Sequence, residues 1–322
     1  MGIGEVGSYG QHEIATPHID RLAVDGMLFI EFRSSAGVCG PARCAFMTGC
    51  HNGRCRLVDN DNDFLRDADV TLAERLKAHI HNEASREAPD GGYEIPSLGV
   101  YADRPWPLPK KSYAAQVTRL DADLGALRQL LDLLHVAQNT MVVFLSDNGA
   151  TFLRGANDGA TDIVGRWFNG TQHFRGFKGD LFDGGLRVPG MVSWPGVVKP
   201  GSTSSARVDF TDLHATLAEV AGQPAPTETT GRSFLAALTR RASYRARPHH
   251  VWYSPDRNQS AVLEGRWKAV WMSDTLRVFA LERDPGERTD LSAQQPAIVL
   301  RLDSIRRAED RRVSHPHRPP KE

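Results

Sequence analysis

The sequence predicts an α/β fold, a mostly parallel central sheet flanked by helices, with a small C-terminal α+β subdomain. Three observations carry that reading. A helix start at Thr16-Pro17 runs directly into an apolar stretch from Met27 to Phe32. A long amphipathic segment, Ser112 to Leu134, leads into a second apolar run, Met141 to Leu145, which ends in polar residues. Beyond Tyr244 the composition changes and short strand-like segments replace the strand–helix units.

At 322 residues the chain has room for one large α/β domain and a smaller unit. Its formal net charge is zero, so no global field points to nucleic acid or an anionic membrane. There is no apolar run long enough to predict a membrane span. The first seven residues lack the basic and apolar regions of a signal peptide. The chain as written is therefore expected in the cytoplasm, and in the periplasm or outside the cell if an upstream signal has been lost.

Taken in order, Thr16 can cap the first helix, Pro17 fits its first turn and Gly26 can close it. Met27 to Phe32 reads as a buried strand leading to a loop that delivers Cys39. Pro41 sits where a first helical residue would sit, and Gly49 can end the helix. Cys39 would then lie just before a helix N-terminus, where the dipole favours an anion. The four cysteines, Cys39, Cys44, Cys50 and Cys55, show no Cys-x-x-Cys spacing, so a metal cluster is disfavoured. Buried thiols are the simpler reading for the last three, although a disulfide pair stays open.

Thr71-Leu72-Ala73-Glu74 is a capping box for a helix with Leu72, Leu76 and Ile80 on one face. A Pro-rich connection follows, from Glu94 to Pro107. Val117, Leu120, Leu124, Leu127, Leu131 and Leu134 recur at helical spacing and predict a helix packed on a sheet. Met141 to Leu145 suits a parallel strand buried on both faces. Ser146-Asp147-Asn148-Gly149 lies beyond its carboxyl end, where ligands gather in open α/β sheets. Asp147 and Asn148 offer the hard oxygens that calcium or magnesium prefers, and a metal-free turn is the alternative. Asp212 to Ala221 is a helix closed by Gly222. Trp267 to Trp271 and Arg277 to Leu281 form two antiparallel strands, and a last helix covers Pro296 to Arg307. The predicted organisation is a catalytic domain over 1–243, the C-terminal subdomain over 244–310 and a disordered tail over 311–322.

Three motifs together resemble the type I sulfatases: Cys39-x-Pro41-x-Arg43 with Met47-Thr48-Gly49, Ser146-Asp147-Asn148-Gly149, and Arg175 to Pro189 with Lys178. Ala42 stands where that family more often has Ser, and Asp183 where it has Glu. The resemblance implies an alkaline-phosphatase-like fold and hydrolysis of a sulfate monoester. It implies oxidation of Cys39 to Cα-formylglycine by a formylglycine-generating or anaerobic sulfatase-maturating enzyme. Asp147, Asn148 and the modified Cys39 would hold Ca2+ or Mg2+, and Arg43 would orient the nucleophile. Lys178 and His79 would bind sulfate and neutralise the leaving group, with His81 an alternative to His79 and His173 a lesser candidate. The implied partners are a sulfate ester, small or carbohydrate, with no nucleic acid and no membrane span.

Two further elements of the family pattern have no counterpart here. The resemblance places a pair of metal-binding aspartates just before Met1, and a Lys-x-His segment after the helix at Thr71. The junction near Ala78 suggests an internal deletion, and a truncated N-terminus is the expectation for the missing aspartates. Weak cation binding and slow turnover follow from so few carboxylates. The two functional classes are thus a sulfuric ester hydrolase and a non-catalytic relic that retains the fold.

Overall fold

The computed structural model describes residues 1–54, 97–151, 167–224, 229–240, 244–254, 258–273 and 275–311. The helix expected from Thr71 to Ile80, together with Cys55, His79 and His81, lies outside the described residues.

Helix α1 (Pro17–Asp25) begins with Pro17 in its first turn and buries Ile19, Leu22 and Ala23. Thr16 does not cap it. Its hydroxyl instead accepts from Gly7 N at 2.8 Å and donates to Asp20 Oδ2 at 3.2 Å, tying the preceding turn to the helix. The expected strand from Met27 to Phe32 is two strands, β1 (Met27–Phe29) and β2 (Phe32–Arg33). The break falls at an ion-pair cluster. Glu31 turns out to meet Arg33 at 2.9 Å, Arg187 at 2.8 Å and Arg207 at 3.2 Å.

Helix α2 (Cys39–Thr48) starts at Cys39 itself, two residues earlier than the proline suggested. Gly49 closes it in the left-handed region (φ 74°), where a side chain would be strained. Helix α3 (Leu108–Leu133) buries Tyr113, Ala114, Ala115, Val117, Asp121 and Gly125. Its inward face is therefore not the leucine row: Leu120, Leu127 and Leu134 are exposed. Two contacts fix that rotation. Asp121 accepts from Ile19 N at 2.7 Å in the first turn of α1. Gly125 sits so close to the His18 ring that a Cβ there would lie 2.7 Å from it.

Strand β3 (Val142–Leu145) follows, then a one-turn helix α4 (Asp183–Leu186), β4 (Gly190–Ser193), β5 (Ser202–Ser204) and β6 (Val208–Asp209). The main described sheet has the order β3-β4-β1-β5. β4 runs antiparallel to both neighbours and β1 parallel to β5, so β1, β3 and β5 share one direction. β3 is an edge strand of the described sheet, with Phe144 alone fully buried, not a strand covered on both faces. β2 and β6 pair separately, in parallel.

Helix α5 (Phe210–Val220) is capped by Asp209, which accepts from Thr211 N, while Asp212 returns to Asp209 N. The short helix α6 (Leu235–Thr239) follows. The central core is aromatic: Phe29, Phe32, Phe210 and Phe234 interlock, with Phe29 and Phe32 edge to face at 5.8 Å.

The C-terminal sheet has four strands, not two: β7 (His249–Ser254), β8 (Gln259–Glu264), β9 (Trp267–Met272) and β10 (Thr275–Ala280), in the order β10-β9-β8-β7. Alternation gives it two apolar faces. Val251, Val262 and Val278 pack with Leu302 of helix α7 (Pro296–Asp310). Trp252, Leu263, Val270 and Phe279 pack with Leu181, Phe182 and Leu186 beside α4. The second face is thereby a wall behind the loop that carries Lys178.

Candidate functional site

Three loops converge on the N-terminal end of α2, laced by backbone hydrogen bonds. Gly179 N donates to Gly37 O at 2.8 Å, joining the Lys178 loop to the one before Cys39. Lys178 N donates to Ala150 O at 2.9 Å, joining it to the loop after β3. Asn148 Nδ2 donates to Ala36 O at 3.2 Å, closing the triangle. Cys39 opens α2, and one turn on, Arg43 reaches Asp147 Oδ2 at 3.1 Å. Cys39, Arg43, Asp147, Asn148 and Lys178 therefore share one region, although more than 100 residues separate the helix from Asp147. His79 lies outside the described residues. His173 is exposed, its ring against Phe174 at 4.2 Å.

The oxygens at this place suit a hard cation. Asn148 is buried, yet among the described residues its Oδ1 accepts no hydrogen bond, an unfavourable state for an isolated carbonyl oxygen. Asp147 is partly exposed and presents its carboxylate at the same turn. A carboxylate beside an unpartnered amide oxygen fits calcium or magnesium; the positive dipole end of α2 at the same place opposes a cation and favours a bound anion instead. No disulfide joins Cys39, Cys44 and Cys50 to one another.

A buried charge network supports the Lys178 loop from behind, and motif reading did not reveal it. Asp183, at the start of α4, meets Arg33 at 2.6 Å, Arg187 at 2.8 Å and Lys268 of β9 at 2.8 Å. Lys268 also meets Glu287 at 2.8 Å, and Asp183 N donates to Glu287 Oε2 at 2.6 Å. Burial alone would raise the Asp183 pKa, but Arg33, Lys268 and Arg187 hold it well below the usual carboxylate range. Burial dominates at Glu287 and raises its pKa. The one sequence signal was an apolar strand, Trp267 to Trp271, carrying a lysine on its inward face. α4 in turn positions the metal-motif turn, because Gly149 N donates to Gly185 O at 2.9 Å. Trp252 Nε1 donates to Ser34 O at 2.9 Å, so the C-terminal sheet also holds the loop ahead of Cys39.

A mixed sheet flanked by helices, with polar residues beyond the carboxyl end of β3, gives an α/β fold of the alkaline-phosphatase-like kind. Residues 108–223 match the family profile Sulfatase, and residues 175–306 match that of N-sulphoglucosamine sulphohydrolase, C-terminal. Human arylsulfatase A is 24% identical over 413 residues, covering 94% of this chain and 79% of that protein. An N-acetylgalactosamine-6-O-sulfatase of Bacteroides thetaiotaomicron is 28% identical over 210 residues, 59% of this chain. The chain spans only 40% of that relative's length. The crystal structure of Ps i-CgsB superposes with a TM-score of 0.76 at 18% identity, over 98% of this chain and 92% of that one. Over residues 108–306 the chain is therefore similar to the sulfatases, a family of sulfuric ester hydrolases. Among the described residues, no helix is long and apolar enough to cross a membrane.

Proposed function

We propose that the chain hydrolyses a sulfate monoester of a carbohydrate, using formylglycine made from Cys39 and a divalent cation, calcium or magnesium. The observation that carries this reading is the backbone lacing of the Cys39, Asp147-Asn148 and Lys178 loops around the N-terminal end of α2. Oxidised and hydrated, residue 39 would offer one hydroxyl to attack sulfur and a second whose deprotonation expels sulfate. Asp147 and Asn148 would hold the cation, which supplies Lewis acidity to the attacking oxygen. Arg43 orients the nucleophile from the first turns of α2 and steadies Asp147. Lys178 places a compact positive charge against the sulfate and the departing oxygen. His79, or His81 in its place, would supply a second donor to the sulfate. A maturating enzyme that oxidises Cys39 is the required partner. We assign this chemistry to residues 1–243 and a supporting role to 244–310, with 311–322 as a tail.

The second reading is a fold that keeps the site without turnover, in which Asp147 and Asn148 are too few oxygens to hold the cation firmly. One experiment separates the two. The full chain, co-expressed with a formylglycine-generating enzyme, is assayed on an aryl sulfate and on a 6-sulfated amino sugar. Hydrolysis that falls roughly 10²-fold or more in Lys178→Met and vanishes in Cys39→Ala supports the enzyme. A rate that neither variant alters excludes this site, and no hydrolysis by the matured chain selects the relic.

A further inference from the structure

The far end of α2 from Cys39, one helix length or ~15 Å away, abuts a second polar cavity of about 290 Å³. His51, Arg54, Arg232, Arg247, His249 and Glu309 line it. Three guanidinium groups and two imidazoles thus face a single carboxylate. Glu309, from the last turn of α7, pairs with Arg54 Nη2 at 2.9 Å and lies 3.4 Å from His51 Nε2. Arg247 is committed elsewhere: it meets Asp212 at 2.9 Å, Thr230 O at 3.2 Å, and Asp209.

Two guanidinium groups retain donor capacity. Arg54 Nε is buried and has no hydrogen-bond acceptor among the described residues. Arg232 is exposed, and its Nη1 reaches Ala246 O at 3.3 Å, a long contact. A buried donor without an acceptor is unfavourable, and an oxyanion between two arginines would supply acceptors to both. The cavity volume is close to the lower bound for small-ligand sites, ~300 Å³.

We propose that this cavity is a non-catalytic oxyanion site in which Arg54 and Arg232 hold a tetrahedral dianion, either free sulfate or the sulfate group of a sugar. It stands apart from the chemistry at Cys39 and requires none of it. His51 and His249 line the pocket as further donors, and Glu309 fixes the orientation of Arg54.

Isothermal titration of the full chain tests it, with inorganic sulfate in one arm and a sulfated disaccharide in the other, at low ionic strength. Each arm is repeated on Lys178→Met, which removes anion binding near Cys39. Binding that persists in Lys178→Met and weakens roughly tenfold in Arg232→Met is expected. Arg232 is exposed, so its replacement leaves the fold intact; Arg54→Gln is expected to weaken binding similarly, with a melting curve to show that it folds. Response to inorganic sulfate assigns a free anion, and response to the disaccharide alone assigns a sugar sulfate; either supports the site. Binding that disappears in Lys178→Met and is untouched by Arg232→Met and Arg54→Gln overturns it, as does a lack of binding in both arms.

Discussion

Lys268→Met tests the support beneath the Lys178 loop. The ammonium is fully buried between Asp183 and Glu287, at 2.8 Å from each. Methionine keeps most of its length and removes the charge together with the ammonium's hydrogen-bond donors. Asp183 would keep Arg33 at 2.6 Å and Arg187 at 2.8 Å. Glu287 would keep only the Asp183 N–H at 2.6 Å, so it loses the one cation that opposes its burial. Breaking a buried pair in this way costs about 3–5 kcal/mol, and the surviving contacts of Asp183 place this case near ~3 kcal/mol. Glu287→Gln added to Lys268→Met removes the stranded carboxyl and should recover ~1–2 kcal/mol. The pH dependence has a definite sign. Without Lys268 the pKa of Glu287 rises further above its unfolded value. Its contribution is then full at acidic pH and is lost as pH rises through the folded pKa. Urea unfolding of the single and double variants, in mildly acidic and mildly alkaline buffer, reads both effects. A single variant costing under ~1 kcal/mol, or a double variant no more stable than the single, would refute the reasoning.

Other outcomes follow from the same geometry. Glu31 is held down from 4.5 to about 2, since Arg33 and Arg187 outweigh its burial. A carboxylate lowered in this way stabilises the fold above pH ~4.5 and loses that contribution as pH falls toward ~2, roughly 3 kcal/mol in all. Acid melts of Glu31→Gln should accordingly show a shallower slope over that window than the parent. Gly149→Ala should unfold the metal-motif turn, because its Cβ would lie 2.1 Å from Gly184 O. Gly37→Ala meets Gly179 at 3.2 Å and should be far milder, a contrast that melting temperatures would show. Saturating calcium should raise the melting temperature, and Asp147→Asn should abolish the rise; equal shifts in both proteins would place the cation elsewhere.

The placement of Cys39, Asp147 and Lys178 was legible because each motif carries a local backbone signal: proline and glycine at a helix, a strand end, or a Gly-rich turn. Asn148 was legible as a ligand type, while its unpartnered Oδ1 needed the fold. The rotation of α3 was not legible. Its leucine row has helical spacing, but a close crossing at Gly125 and the Asp121 contact turn small residues inward instead. Likewise, no periodicity marks Glu31 as the centre of an arginine cluster, since Arg187 and Arg207 are remote in sequence. β7 and β8 were missed because His249, His250, Gln259 and Ser260 dilute their apolar alternation. The strand Trp267 to Trp271 was legible, but the role of Lys268 needed Asp183 and Glu287 beside it.

The most direct test of the central claim is the mass of the peptide containing Cys39, from the full chain co-expressed with a formylglycine-generating enzyme. The account predicts that the thiol is replaced by an aldehyde, lowering the mass and adding reactivity toward hydrazides. An intact, alkylatable thiol at residue 39 in the presence of an enzyme that converts a control sulfatase would contradict it.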